Sequence, residues 1–397
     1  MAARRVIVVG AGIMGLWSAL RLRLEGHDVV VVDAWGAGHS RGTSGDESRV
    51  IRAGYGGARL YVRWAERSLK LWSAWGESRR HHHRRPMLIR CGVLWMVGRD
   101  PSSARYADRV VEDLEAIAFP HVRMEADAMT RAWPQMRLSG IQWGVLEPVS
   151  GALLAREACL ELLSDLQERG GVFRQARVRV DRTLDASVRR SGRGGRLGGV
   201  TLDTGERLES DVTLFACGPW LASMFPRLVG SRLRVTRKEV FYFGTPIGDD
   251  RFDAARLPVW MELGTDCYGL PAMNGKGFKL HPDLPGRRVD PTTMDRRTSP
   301  ACLRMARAAL RRRFPDLRDA PVVETRVCQY ESTADDHMFF DRHPRLADVW
   351  IVGGGSGHCF KHGPVIGEMV AEAIHRDTPE AIPPELRWSH TASGRNF

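Results

Sequence analysis

The segment from Val6 to Asp33, VIVVGAGIMGLWSALRLRLEGHDVVVVD, restricts the fold of this chain more than any other stretch. A β-branched run, Val6 to Val9, meets Gly10-Ala-Gly12-Ile-Met-Gly15; an apolar-periodic segment follows, and a second run, Val29 to Val32, ends in Asp33. That order reads as a buried strand, a tight glycine turn, a helix and a parallel strand. Gly10 makes the turn, Gly12 lets backbone approach a pyrophosphate, and Gly15 lets the helix pack close to the sheet. The phosphates would sit on free N–H groups at the helix N-terminus, where the macrodipole favours negative charge. Asp33 stands where an acid accepts hydrogen bonds from ribose hydroxyls, which disfavours a 2′-phosphate. A lone GxGxxG is weak; strand, helix, second strand and terminal acid in register predict a dinucleotide site for FAD or NAD rather than NADP.

At 397 residues the chain is long enough for two intertwined domains. Its 43% hydrophobic and 27% charged content is ordinary for a globular protein. No stretch approaches the about 18 uninterrupted apolar residues of a membrane span, so no membrane partner is expected. The opening MAARRVIVVGAGIMGL imitates a secretory signal, but its apolar run is already used by the dinucleotide motif, so a cytoplasmic protein is expected. The net charge of +12 and pI near 9.8 raise nucleic acid as a partner. Against it, the excess is scattered arginine, in knots such as Arg79-Arg80-His-His-His-Arg84-Arg85 that lack a base-stacking platform; a solvated surface and no nucleic-acid partner are expected. Neighbouring histidines do not point together as spaced ligands do, so no metal is expected. Seven isolated cysteines without a C-x-x-C pair argue for a reducing compartment and against disulfides.

After Asp33 the chain runs AWGAGHSRGTSGDESRVIRAGYG, a long polar loop broken by glycines, of a kind more often functional than not. Arg49 and Arg52, three apart, are expected on one side of a helical turn, facing an anion. Helices are predicted over 58–73, 102–118, 151–167 and 363–375, and strands over 91–98, 172–178, 211–216 and 345–355, with a hairpin around the Arg/Gly-rich 189–199. Between Leu233 and His281 alternating segments with many aromatics suggest an antiparallel sheet. The expected fold is α/β (α+β): a Rossmann-like nucleotide-binding domain with a mixed central sheet, interleaved with an antiparallel-sheet cap. Residues 1–90, 150–225 and 325–385 would form the first domain, and 91–149 and 226–324 the second.

Four separated stretches occur in a telling order: Ser44-Gly-Asp-Glu-Ser-Arg49-Val-Ile-Arg52, Tyr268-Gly-Leu-Pro with Gly277-Phe-Lys279-Leu, Cys328-Gln-Tyr330, and Gly354-Gly-Ser356-Gly-His358-Cys-Phe-Lys361. With them the chain resembles, from Val6 to about His375, the monomeric sarcosine oxidase family of flavoprotein amine oxidases, which includes N-methyltryptophan oxidase. The resemblance implies FAD joined through the Cys328 sulfur and a cation, Lys279, held near the flavin to favour the charge that develops when oxygen is reduced. It implies Arg52 and Lys361 as a clamp on a substrate carboxylate, with Arg49, Tyr268 and Tyr330 beside the reacting centre. Cofactor contacts are implied for Gly10, Gly12, Ile13, Met14, Gly15, Asp33 and Ala34, for Thr43, Ser44, Ser48 and Arg49, for Val178, Gly218 and Trp220, and for Gly355, Ser356, Gly357, His358 and Lys361.

The chain also departs from that family. Gly45 and Asp283 stand where sarcosine oxidases have histidines, Gly355 replaces an aromatic, and Cys359 replaces a glycine. Lost bulk at Gly45 and Gly355 should widen the pocket, and Asp283 would meet a second cationic group. The expectation is an FAD-dependent oxidase of a secondary (N-methyl or cyclic) or primary amino acid, a monomer that takes a small amine and O2. The alternatives are a dehydrogenase that passes electrons to a protein and an inactive flavoprotein assembly factor. Arg52, Lys361, Lys279 and Cys328 together favour the enzyme, since a scaffold needs none of them.

Overall fold

The computed structural model describes residues 2–80, 85–179, 195–265, 267–282 and 284–388. Asp283 and the three histidines at 81–83 lie outside the described residues. The opening segment folds as expected: strand Arg5–Val9, helix Ile13–Leu24 and strand Asp28–Asp33, the two strands parallel. They form the middle of a six-stranded sheet in the order 339–342, 349–353, 212–215, 5–9, 28–33, 172–175. All its pairings are parallel except that of the edge strand Phe339–Arg342. Val6, Val8, Val31 and Leu214 are fully buried, as strands covered on both faces require. Helix Gly363–Arg376 packs on helix Ile13–Leu24 so closely that a Cβ at Gly367 would lie 2.7 Å from the Trp17 carbonyl oxygen.

An eight-stranded sheet runs in the order 322–332, 234–243, 278–282, 267–270, 259–262, 93–97, 143–147, 122–125. It is antiparallel except where Val259–Glu262 lies parallel to Val93–Val97. Its faces have different partners. Leu94, Trp260, Phe241, Phe243, Phe278 and Leu280 pack under helix Pro300–Arg313 with Leu310 and Phe314. The alternate residues Trp95, Met261, Tyr268 and His281 pair in register across four strands on the other side. A third, three-stranded sheet sets Ser48–Ile51 antiparallel to Gly151–Leu154.

Several local expectations change. Residues 151–154 form a strand, and the helix starts only at Ala155, because Gly151 is pressed against the Ile89 carbonyl, 2.1 Å from where a Cβ would stand. Arg49 lies in a strand rather than a helical turn, paired with Leu153, so Arg49 and Arg52 do not share one side. Strand Val322–Ser332 belongs to the eight-stranded sheet, so a domain boundary at 325 would cut it. Most of the 189–199 hairpin lies outside the described residues. Arg79 is buried, not solvated: its guanidinium pairs with Glu161 and lies 4.5 Å from the Trp75 ring. Among the described residues no helix is long and apolar enough to cross a membrane.

Candidate active site

A cleft opens at the carboxyl ends of strands 5–9, 28–33 and 212–215. Gly10 has φ +113°, and a Cβ there would lie 2.4 Å from the Ala216 carbonyl oxygen; one at Gly15 would lie 2.0 Å from that of Gly10. At Gly12 the sole neighbour within 4 Å of such a Cβ is Ser44 Oγ, at 3.5 Å. The first and third glycines are thus required by the protein's own backbone, whereas the second leaves room that a pyrophosphate would fill. Ile13 N–H donates to Ser44 Oγ at 3.1 Å. Asp33 is held at the cleft by N–H groups of Ala11 (2.8 Å), Trp35 (2.8 Å) and Gly36 (2.9 Å). Gly10, Gly12, Ile13, Met14, Asp33, Ala34, Thr43, Ser44, Gly45, Arg49, Val178, Gly218, Trp220, Tyr330, Gly355 and Gly357 all line this one cavity. A glycine cradle, a helix N-terminus and a ribose-side acid in a single cleft fit FAD.

Arg49 connects the cleft to a buried charge cluster. Lys279 Nζ donates to Asp46 Oδ2 and to the Ser48 carbonyl, both at 2.7 Å, and Tyr242 Oη donates to Asp46 Oδ1 at 2.6 Å. Arg49 donates to the same Asp46 carboxylate and to the Thr43 carbonyl at 2.6 Å, and its Nη2 lies 3.5 Å from Cys328 Sγ. Burial works against the Asp46 charge, but Lys279 and Arg49 hold its carboxyl well below the usual range. Burial, with Arg49, lowers the Lys279 ammonium against the pull of Asp46. Burial also raises the Cys328 thiol, opposed by Arg49. Ser48 therefore anchors Lys279 instead of lining the cleft.

Arg52 sits in an aromatic sandwich, 4.6 Å from the Tyr55 ring and 4.7 Å from that of Trp95. Lys361 Nζ approaches the same Tyr55 ring at 4.9 Å, and burial followed by the Arg52 charge lowers its pKa. Among the described residues neither cation forms an ion pair. The nearby Glu147 is occupied by N–H groups of Ala53 (2.7 Å), Gly54 (3.1 Å) and Trp95 Nε1 (2.8 Å) and by the Ser150 hydroxyl (2.6 Å). It braces the Arg52 turn.

Tyr268 and Tyr330 meet around His281, with ring centroids 5.0 Å and 6.2 Å from it. His281 Nδ1–H donates to the Glu239 carbonyl at 2.8 Å, and its Nε2 lies 3.5 Å from Tyr330 Oη. Gly269, the second residue of the Tyr268 motif, lies under the Trp260 indole, 2.6 Å from where a Cβ would be.

Other expected residues turn away from the cleft. Ser356 Oγ donates to the Gly354 carbonyl at 3.1 Å, and His358 Nε2 to that of Asp336 at 3.0 Å. Burial, with the Lys361 charge, pushes His358 down to about 3, so its imidazole is neutral. The widening expected at Gly45 and Gly355 is absent. A Cβ at Gly45 would meet the His39 carbonyl oxygen at 1.8 Å, and the space over Gly355 is taken by Glu331, Met14 and Cys359. Sequence reasoning quoted Asp46 without giving it a role and passed over Tyr55, Trp95, Glu147, His281 and Glu331. The strand period of two held one usable signal: His281 shares the face of Lys279.

The chain matches the model of the FAD dependent oxidoreductase family, DAO, over residues 5–373, and it belongs to that family. Within it, the chain is of the sarcosine and amino-acid oxidase type. It is 28% identical to monomeric sarcosine oxidase of Bacillus sp. (strain B-0618), over 92% of this chain and 91% of that protein. It is 26% identical to N-methyl-L-tryptophan oxidase of Salmonella arizonae, over 94% and 95%. The structure resembles that of a thermally stable mutant of fructosyl peptide oxidase, with a TM-score of 0.82, 19% identity and coverage of 100% and 95%.

Proposed function

We propose that the protein is an FAD-dependent oxidase of a small secondary (N-methyl or cyclic) or primary amino acid. When bound, FAD supplies the two-electron chemistry, taking a hydride from the amine-bearing carbon and passing the electrons to O2, so that an imine and hydrogen peroxide are released.

The observation that carries this proposal is the pair of cations around Tyr55. Arg52 and Lys361 sit 4.6 Å and 4.9 Å from one ring with no protein carboxylate paired to either among the described residues. The buried Lys361 ammonium beside the half-buried Arg52 guanidinium is costly unless an anion joins them, and a substrate carboxylate supplies that anion. The stacked guanidinium offers it a planar fork and Lys361 adds a point charge. Lys279 and Arg49 set two cations against the single Asp46, which leaves net positive charge beside the cleft to favour oxygen reduction. Cys328, in contact with Arg49, is the proposed point of covalent flavin attachment.

Oxygen uptake over a panel of N-methyl, cyclic and primary amino acids tests the proposal, with one peroxide formed per amine oxidised as the expected result. Amine oxidation with an artificial acceptor but without peroxide would instead identify a dehydrogenase. No turnover of any carboxylated amine would sink the proposal.

A further inference from the structure

Glu331 is a buried carboxyl that the proposed reaction does not use. It lies on the wall of the FAD cleft, 5% exposed, where three distant segments meet. Thr43 Oγ1 donates to its Oε2 at 2.8 Å. Cβ atoms built on Gly355 and Gly218 would lie 3.1 Å and 3.8 Å from its Oε1. Arg49, which also pairs with Asp46, is the charged group that acts on it, and Glu331 in turn raises the Cys359 thiol. The helix at 13–24 brings the Met14 methyl to the same face of Gly355. A bound FAD adds a doubly charged pyrophosphate to this desolvated cleft, and an ionised carboxylate on the same wall would add a like charge to it.

We propose that Glu331 meets FAD as a neutral acid, so that loading the cofactor fixes one proton on the protein. Burial already pushes the carboxyl up to about 7, against the opposing hydrogen bonds from Thr43 and the Glu331 and Gly355 amides. The inference needs only FAD as the cofactor and holds whichever amine is oxidised.

The test uses full-length Cys328→Ser protein stripped of flavin, with FAD affinity read from flavin fluorescence between pH 6 and pH 8.5. For a carboxyl titrating near 7 that must be protonated to bind, affinity should fall by about 30-fold over that range. The same protein carrying Glu331→Gln should change by less than about threefold. Carbonyl infrared bands of the untreated holoenzyme give a second readout, one that survives if the variant misfolds. A protonated carboxyl band should persist at pH 8.5 in the holoenzyme. A parent affinity that moves less than about threefold, a Gln variant that follows the parent, or the absence of that band would overturn the proposal.

Discussion

Among single residues, Arg52, Asp46 and Glu331 separate three kinds of charge. Arg52 is held flat by Tyr55 and Trp95, so Arg52→Lys keeps the charge but loses both the fork and the stacking. The dissociation constant of an amino-acid inhibitor, followed by flavin absorbance, should rise about tenfold, or about 1.4 kcal/mol, with little change for an amine lacking the carboxylate. Equal losses on both would mean that Arg52 supports the loop and not the ligand. Asp46 is the shared acceptor of Lys279, Arg49 and Tyr242, so Asp46→Ala leaves the buried Lys279 and the half-buried Arg49 without their carboxylate. A loss of about 3–5 kcal/mol in denaturant unfolding is expected; a loss under about 1 kcal/mol would show that the cluster is hydrated. Glu331 has the opposite sign. Its folded pKa of about 7 lies above the ordinary 4.5, so the flavin-free protein should lose stability as pH rises between those values, and Glu331→Gln should flatten that slope.

Among elements, the glycine turn offers a contrast within six residues. Gly10→Ala and Gly15→Ala drive a methyl into backbone carbonyls, whereas Gly12→Ala meets only the Ser44 hydroxyl. Gly12→Ala should therefore melt within a few degrees of the parent yet purify with little flavin, and the other two should fail to fold. Circular dichroism melting and flavin content decide it, and a flavin-replete Gly12→Ala would remove the pyrophosphate from that site. This turn was legible because strand, glycine spacing and helix are local in the chain. The charge clusters were not. Asp46 meets Lys279 across 233 residues, and His281 gains its place only from the pairing of strands 267–270 and 278–282. Gly45 and Gly355 misled for the same reason: a missing side chain signals space only if nothing else fills it, and the His39 carbonyl and Glu331 do.

For the molecule as a whole, the cleft is assembled from segments as far apart as Gly10 and Phe360, so the cofactor and the global fold should melt together. Added FAD should raise the melting temperature of Cys328→Ser protein, by about 2.7 kcal/mol of stability at 100 times its dissociation constant. The parent, if Cys328 carries the flavin, should ignore added FAD; a parent that responds equally would refute the covalent bond. The two-sided construction of the eight-stranded sheet has a consequence for descent. Trp95, Met261, Tyr268 and His281 face one way, while Leu94, Trp260, Phe278 and Leu280 are locked under the helix at 300–313. On the function proposed above the first face borders the amine, so a substitution there that keeps its own buried contacts would leave the second face packed, and a lineage could trade one amine for another without passing through an unfolded ancestor.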